Sequence, residues 1–159
     1  MLPLMALFLL LQMSDCPMHA QHVHAAQVDQ HGDEAMGFSH TLTRHSFRLR
    51  KNGGAIEVTA NSGDDAKTIA AIREHLRSIA KSFADGDFAK PMATHGRLPD
   101  GADVMRDRKA MIRYQYEDVP SGGRVGISSD DDRAIEAVHR FLRFQIEEHR
   151  TGDPVKIQQ

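Results

Sequence analysis

Thr43-Arg44-His45-Ser46-Phe47-Arg48-Leu49-Arg50, followed by Asn52-Gly53-Gly54 and by Ile56-Glu57-Val58-Thr59-Ala60, reads as a hairpin. Thr43, His45, Phe47 and Leu49 alternate with Arg44, Ser46, Arg48 and Arg50, the period of two expected of a strand wet on one side. Asn52-Gly53-Gly54 supplies residues that tolerate the positive φ of a tight turn. On the return strand, Ile56, Val58 and Ala60 face inward while Glu57 and Thr59 face water. Ser62 to Asp65 offers N-cap candidates, and Ile69, Ile72, Leu76, Ile79, Ala80 and Phe83 then form one helical stripe that Gly86-Asp87 ends.

This hairpin-then-helix unit occurs twice. Ile112–Tyr116, Gly122-Gly123, Val125–Ser129 and a helix ending near Gly152-Asp153 repeat it. Ile112, Tyr114 and Tyr116 take the inward positions of the third strand and Val125 and Ile127 those of the fourth. Asp130 to Asp132 caps a last helix with an inner stripe of Ile135, Val138, Leu142, Ile146 and His149. Two such units can bury one sheet face beneath two helices. The expectation is an α+β fold: a ββαββα two-layer sandwich of four antiparallel strands with both helices on one face. The chain divides into a leader (1–20), a His-rich arm (21–40) and a single domain (41–155) whose halves are 41–87 and 108–153.

The leader reading rests on the apolar run from Leu2 to Leu11, which has signal-peptide length and is short for a membrane span. Met18-His19-Ala20 before Gln21 reads as a cleavage site, so the protein is expected to be periplasmic or secreted. Lipidation at Cys16 is the alternative, disfavoured by the preceding Met13-Ser14-Asp15. Cleavage after Ala20 removes the only cysteine, leaving neither disulfides nor thiolate metal sites. It also removes Asp15, so 21 acidic residues of the original 22 face 20 basic ones. That balance points away from nucleic acid.

Glu34-Ala35-Met36-Gly37-Phe38, with Ala137-Val138-His139, Phe141-Leu142-Arg143-Phe144-Gln145-Ile146, Glu148-His149 and Thr151-Gly152-Asp153-Pro154, resembles a group of small exported bacterial proteins of unknown function. The resemblance spans about residues 30 to 155 and implies no particular activity. Members of that group carry Thr-Thr-His-His-Phe where this chain has Thr43-Arg44-His45-Ser46-Phe47, so one of two adjacent histidines is absent.

Histidine is the compositional outlier, with 10 in the chain. Imidazole binds copper or zinc, and a thioether favours reduced copper. The candidate metal ligands are Met36, His31, His40, His45 and His95: Met36 and His40 lead into His45, which shares the inward phase of Phe47 and Leu49, and His95 lies on the connection between halves. The bland reading of His45 is a core histidine satisfied by one backbone carbonyl, and that of the arm is solvated surface. Residues 87 to 104 read as an irregular connection, and the arm as a loosely tethered tail.

Three other readings compete. Phe141 and Phe144 widen the last helical stripe, and Phe144 points about 180° from Ile135. They are candidates for a homodimer contact in a cofactor-free envelope interaction protein. Arg44, Arg48, Arg50, Arg113 and Arg124, interleaved with Glu57, Gln115 and Glu117, form either an anion-binding sheet face or a cross-strand charge ladder. A hydrolase would pair His95 with Asp85, Asp87, Asp100 or Asp103 beside a closed pocket. No Gly-x-Ser-x-Gly turn or other catalytic signature occurs.

Overall fold

The computed structural model describes residues 17–158, with side chains from Val23 onward. The expected leader up to Cys16 lies outside the described residues, and the last leader residues form the start of a helix, α1 (Pro17–Met36). After a single 3₁₀ turn come β1 (Thr43–Arg50), β2 (Gly53–Ala60), α2 (Ala66–Ala84), α3 (Ala89–His95), α4 (Ala102–Asp107), β3 (Ile112–Val119), β4 (Gly122–Ser129) and α5 (Asp132–Glu148).

The architecture is the α+β arrangement read from the repeat: one antiparallel sheet in the order β1-β2-β4-β3. The two return strands pair in the middle, with Ile56 opposite Val125, so each hairpin contributes one edge strand and one central strand. α2 and α5 cover the inward face. Phe47, Leu49, Ile56, Val58, Val125 and Ile127 from the sheet meet Ile72, Leu76, Phe83, Val138, Phe141 and Leu142 from the helices, all below 9% exposed. Each such aliphatic or aromatic side chain contributes about 1.5–3 kcal/mol by leaving water.

Both helices start the same way. Asp65 accepts from Thr68 N–H and Asp131 from Ala134 N–H, each satisfying a donor that has no partner inside the helix. The first hairpin turns on Lys51-Asn52, outside the glycine pair, and the second on Pro120-Ser121, with Ser121 at φ 62°. The glycines serve close approach instead. A Cβ on Gly54 would collide with the Arg48 carbonyl and with Leu142 of α5, so that position accepts no side chain.

Several expectations are corrected. The arm is helical and docked: Val28 is buried at 2% exposed, Gly32 is buried, and α1 lies along α3. One buried valine leaves almost no periodic signal, which is why the segment reads as a tail. The connection between halves holds α3 and α4. Phe141 and Phe144 are buried at 1% and 3%, and neither is a surface contact. Phe141 packs on Phe83 and Phe88, while Phe144 sits under the His95 ring and the Arg97 guanidinium. Ile135 is only half-buried.

Residues 151–158 run along β1. Asp153 accepts from Phe47 N–H and Ser46 Oγ, and Gln158 N–H donates to the Leu49 carbonyl. These bonds occupy polar groups on an edge strand that would otherwise face solvent. On the outer sheet face Arg124 bonds Glu57 at 2.7 Å and Glu117 at 2.9 Å, the geometry of a charge ladder. No helix among the described residues is long and apolar enough to cross a membrane.

Candidate functional site

Where α1 and α3 lie over the space between β1, α2 and α5, four elements each send one imidazole to the wall of one cavity of about 70 Å³: His45 from β1, His75 from α2, His95 from the end of α3 and His149 from the end of α5. The rest of the wall is largely apolar, with Phe47, Phe83, Phe141 and Met36 among its members. The rings touch in sequence. His45 and His149 have centroids 5.3 Å apart and nearly parallel planes, and His95 meets His149 edge-on at 5.0 Å. Phe38 packs against two of the rings, stacking on His45 at 6.4 Å and edge-on to His75 at 5.7 Å.

Burial sets the charge state. Desolvation lowers His45 and His75 to about 4, and the same cause lowers His149 well below its ordinary range and also lowers His95. Cationic neighbours add to it: Lys90 acts on His75 and Arg150 on His149. The cavity is therefore walled by neutral imidazoles, the form that binds metal ions.

These rings lack the ordinary structural partner. His139, in the second half, has one: its Nε2 lies 2.8 Å from the Arg50 carbonyl. Among the described residues no carbonyl holds His45, whose neighbours are Phe38, Phe47 and His149. His95 Nε2 lies 3.2 Å from Gln145 Oε1, so the ring proton sits there as donor. Its Nδ1 is left buried without a hydrogen bond, 3.6 Å from Glu148 Oε2. An orphaned buried nitrogen of that kind costs about 1–3 kcal/mol unless something binds it.

The repeat shows how unusual this is. Strand residues have counterparts 69 positions on, as Thr43 and Ile112 do, and helix residues 66 positions on, as Asp65 and Asp131 do. His45 thus corresponds to Tyr114, His75 to Phe141 and His149 to Phe83. In that second slot Phe83 meets Tyr114 at 5.9 Å and Phe141 at 5.5 Å. Phe88, at the start of α3, stacks on Phe83 at 4.5 Å, as His95 at its end packs on His149. One slot is filled by phenyl rings and the Tyr114 phenol, whose hydroxyl is also buried without a hydrogen bond, and its counterpart by imidazoles. The packing itself does not demand nitrogen.

Of the candidate ligands read from the sequence, Met36, His45 and His95 come together at the cavity. His31 is exposed on α1, away from the wall. His40 is exposed and turned to Asp33, 2.9 Å from its Oδ1. His75 and His149, which are not among the candidate ligands, complete the wall, and both are half-buried; their convergence depends on how α2 and α5 cross the sheet. Among the described residues no three His, Cys, Asp or Glu side chains converge on a common point.

The aspartates of the hydrolase reading are elsewhere. Asp85 pairs with Lys81 and Asp100 with Arg97, while Asp87 accepts from Ala89 N–H as a turn former and Asp103 is exposed. The carboxylate beside His95 is Glu148, which also meets His24 of α1 at 2.8 Å and Arg97 at 3.5 Å. Further ties hold α1 over the cavity: Asp29 with Arg150 at 2.6 Å and Asp33 with His40. No family model, curated protein or solved structure matches the chain.

Proposed function

We propose that this chain is a small exported binding protein that takes one transition-metal ion, copper or zinc, into the imidazole-walled cavity. The observation that carries this reading is the pair of equivalent slots. A slot that elsewhere in the same molecule is packed with Phe83, Phe88, Tyr114 and Phe141 is here packed with His149, His95, His45 and His75. His95 is buried and His45, His75 and His149 are half-buried, none on a backbone carbonyl among the described residues; imidazoles in that position lose hydration that phenyl rings would not, and a bound ion would restore it.

Export is supported by the apolar run at residues 2–11 and by a mature chain free of cysteine, in which His and Met are the remaining soft or borderline ligands.

Equilibrium dialysis against copper and zinc, followed by elemental analysis, tests the proposal. One equivalent of metal per chain is expected, lost in the His45→Phe/His149→Phe double variant. Uptake that survives in the double variant, or no uptake by the wild type, would remove the cavity as the site.

A further inference from the structure

Independently of the metal site, we propose that the outer edge of β3 is a self-association surface, where a second copy of this chain adds its own β3 antiparallel and joins two four-stranded sheets into one.

The open edge follows from the hydrogen-bond phase of the sheet. Ala60 N–H donates to the Ser121 carbonyl and Ser129 N–H to the Asn52 carbonyl, both in the register that pairs β2 with β4. Bonded pairs alternate along an antiparallel ladder, so odd-numbered residues of β4 turn toward β2 and even-numbered ones toward β3. Glu117 lies opposite Arg124 and Gln115 opposite Gly126, so the odd-numbered residues of β3 bond inward. The N–H and C=O groups of Tyr114, Tyr116 and Asp118 therefore point off the sheet.

The equivalent strand of the first half confirms the phase. On β1 it turns Phe47 N–H and the Leu49 carbonyl outward, and these are the groups that Asp153 and Gln158 take. One edge thus carries the 151–158 strap. On the other, Ile112 N–H closes the 3₁₀ turn on the Lys109 carbonyl, and among the described residues nothing bonds the outward groups of Tyr114, Tyr116 and Asp118. Proline, lysine or a bulge normally blunts such an edge. β3 has none of them, and all eight of its residues keep register with β4.

The charges on this edge select the occupant. With a two-fold axis through Gln115, Arg113 of each copy lies opposite Glu117 of the other, and Tyr114 opposite Tyr116. Opposite charges and aromatic pairs directly across a ladder are favourable. This register also sets the outward-bonding residues against one another, as the phase requires. An axis through Tyr114 or Tyr116 instead sets Arg113 or Glu117 against Gln115, and the complementarity is lost. Arg113 and Glu117 are both more than half exposed and reach only the rim residue Asp130 and Arg124, which keeps Glu57. The surface is separate from Phe141 and Phe144, which are buried.

Sedimentation velocity across a concentration series into the hundreds of micromolar is expected to show twice the chain mass at the upper end. Arg113→Glu or Glu117→Arg alone places like charges opposite and should weaken the dimer on the order of 30-fold. Mixing the two single variants should restore it, because one chain is then acidic and the other basic at both positions; the double variant should restore it as well. If Glu117→Arg disturbs the fold through Arg124, Glu117→Gln removes the pair without adding charge and should weaken association about fivefold. Residue-resolved amide exchange should slow at Tyr114, Tyr116 and Asp118 as concentration rises and stay constant at Gln115 and Glu117. A monomer at every concentration would overturn the proposal. So would a dimer indifferent to both charge reversals, or one that leaves exchange at Tyr116 unchanged.

Discussion

The slot around Phe83 and the slot around His149 occupy matching places in the two halves of this fold, one lined by three phenyl rings and the Tyr114 phenol, whose hydroxyl is buried without a hydrogen bond, and one by imidazoles. Phe83, Phe88, Tyr114 and Phe141 make stacked and edge-on contacts at 4.5–5.9 Å. His149, His95 and His45 make contacts of the same kind at 5.0–5.3 Å. Geometry alone does not separate them; polarity does. The carbon slot gains from burial, whereas the imidazole slot gives up hydration and holds its rings neutral by desolvation. The proposed function rests on this contrast in polarity between two slots of like geometry.

The most drastic way to break the comparison is to place an imidazole in the carbon slot. Phe83→His leaves an unpaired polar ring among Phe88, Phe141 and Tyr114, and is expected to destabilise by about 3–5 kcal/mol in urea denaturation. A loss below about 1 kcal/mol would mean that both slots tolerate imidazole alike, and the contrast would carry no functional meaning.

Acid is the next test. Unfolded histidine titrates near 6.5, whereas His45 and His75 titrate near 4 in the fold. Between those values the unfolded chain binds more protons, so stability is full above about pH 6.5 and declines as pH falls toward 4, by on the order of 2–3 kcal/mol for each of these two histidines. His149 and His95, lowered in the same direction, add to the decline. Denaturant midpoints measured across pH 7 to 4 should show this slope, flattened in His45→Phe. A midpoint independent of pH over that range would contradict neutral burial of the rings.

The converse substitution sharpens the comparison. His149→Phe places in the imidazole slot the ring that Phe83 holds in the other half, and in metal-free protein is expected to raise stability by roughly 1 kcal/mol, because an imidazole without a carbonyl partner is removed. If it instead costs several kcal/mol, His149 is a structural residue. The smallest effect concerns the cover. Glu148→Gln weakens the tie to His24, and since His24 is half exposed the stability change should stay within about 1 kcal/mol. Faster amide exchange confined to α1 is the signature; unchanged exchange would mean that Val28 and Asp29 hold the helix without Glu148.

The division between what was legible in the sequence and what was not follows from the range of the forces involved. Strand alternation at Thr43–Leu49 and the stripe of Ile72, Leu76, Ile79 and Phe83 are local periodicities, and the Gly-Asp ends of both helices repeat 66 positions apart, at Gly86 and Gly152. Hence the two-layer sandwich could be read directly. The order β1-β2-β4-β3 depends on the long connection, which constrains no crossing by itself. For the same reason Met36, His45 and His95 were legible as candidates that meet at the cavity while His75 and His149 were not: their approach requires α2 and α5 to be placed on the sheet first. Phe144 reads as exposed until α3 and Arg97 are laid over it.

X-ray absorption at the copper or zinc edge of metal-loaded protein tests the proposed site most directly, because it reports the atoms around the ion. Imidazole scatterers at about 2.0–2.1 Å, lost in the His45→Phe/His149→Phe variant, are the result the proposed site predicts. A first shell of oxygen alone, or an imidazole shell unchanged in the His45→Phe/His149→Phe variant, would place the ion elsewhere and leave the buried histidines without a function.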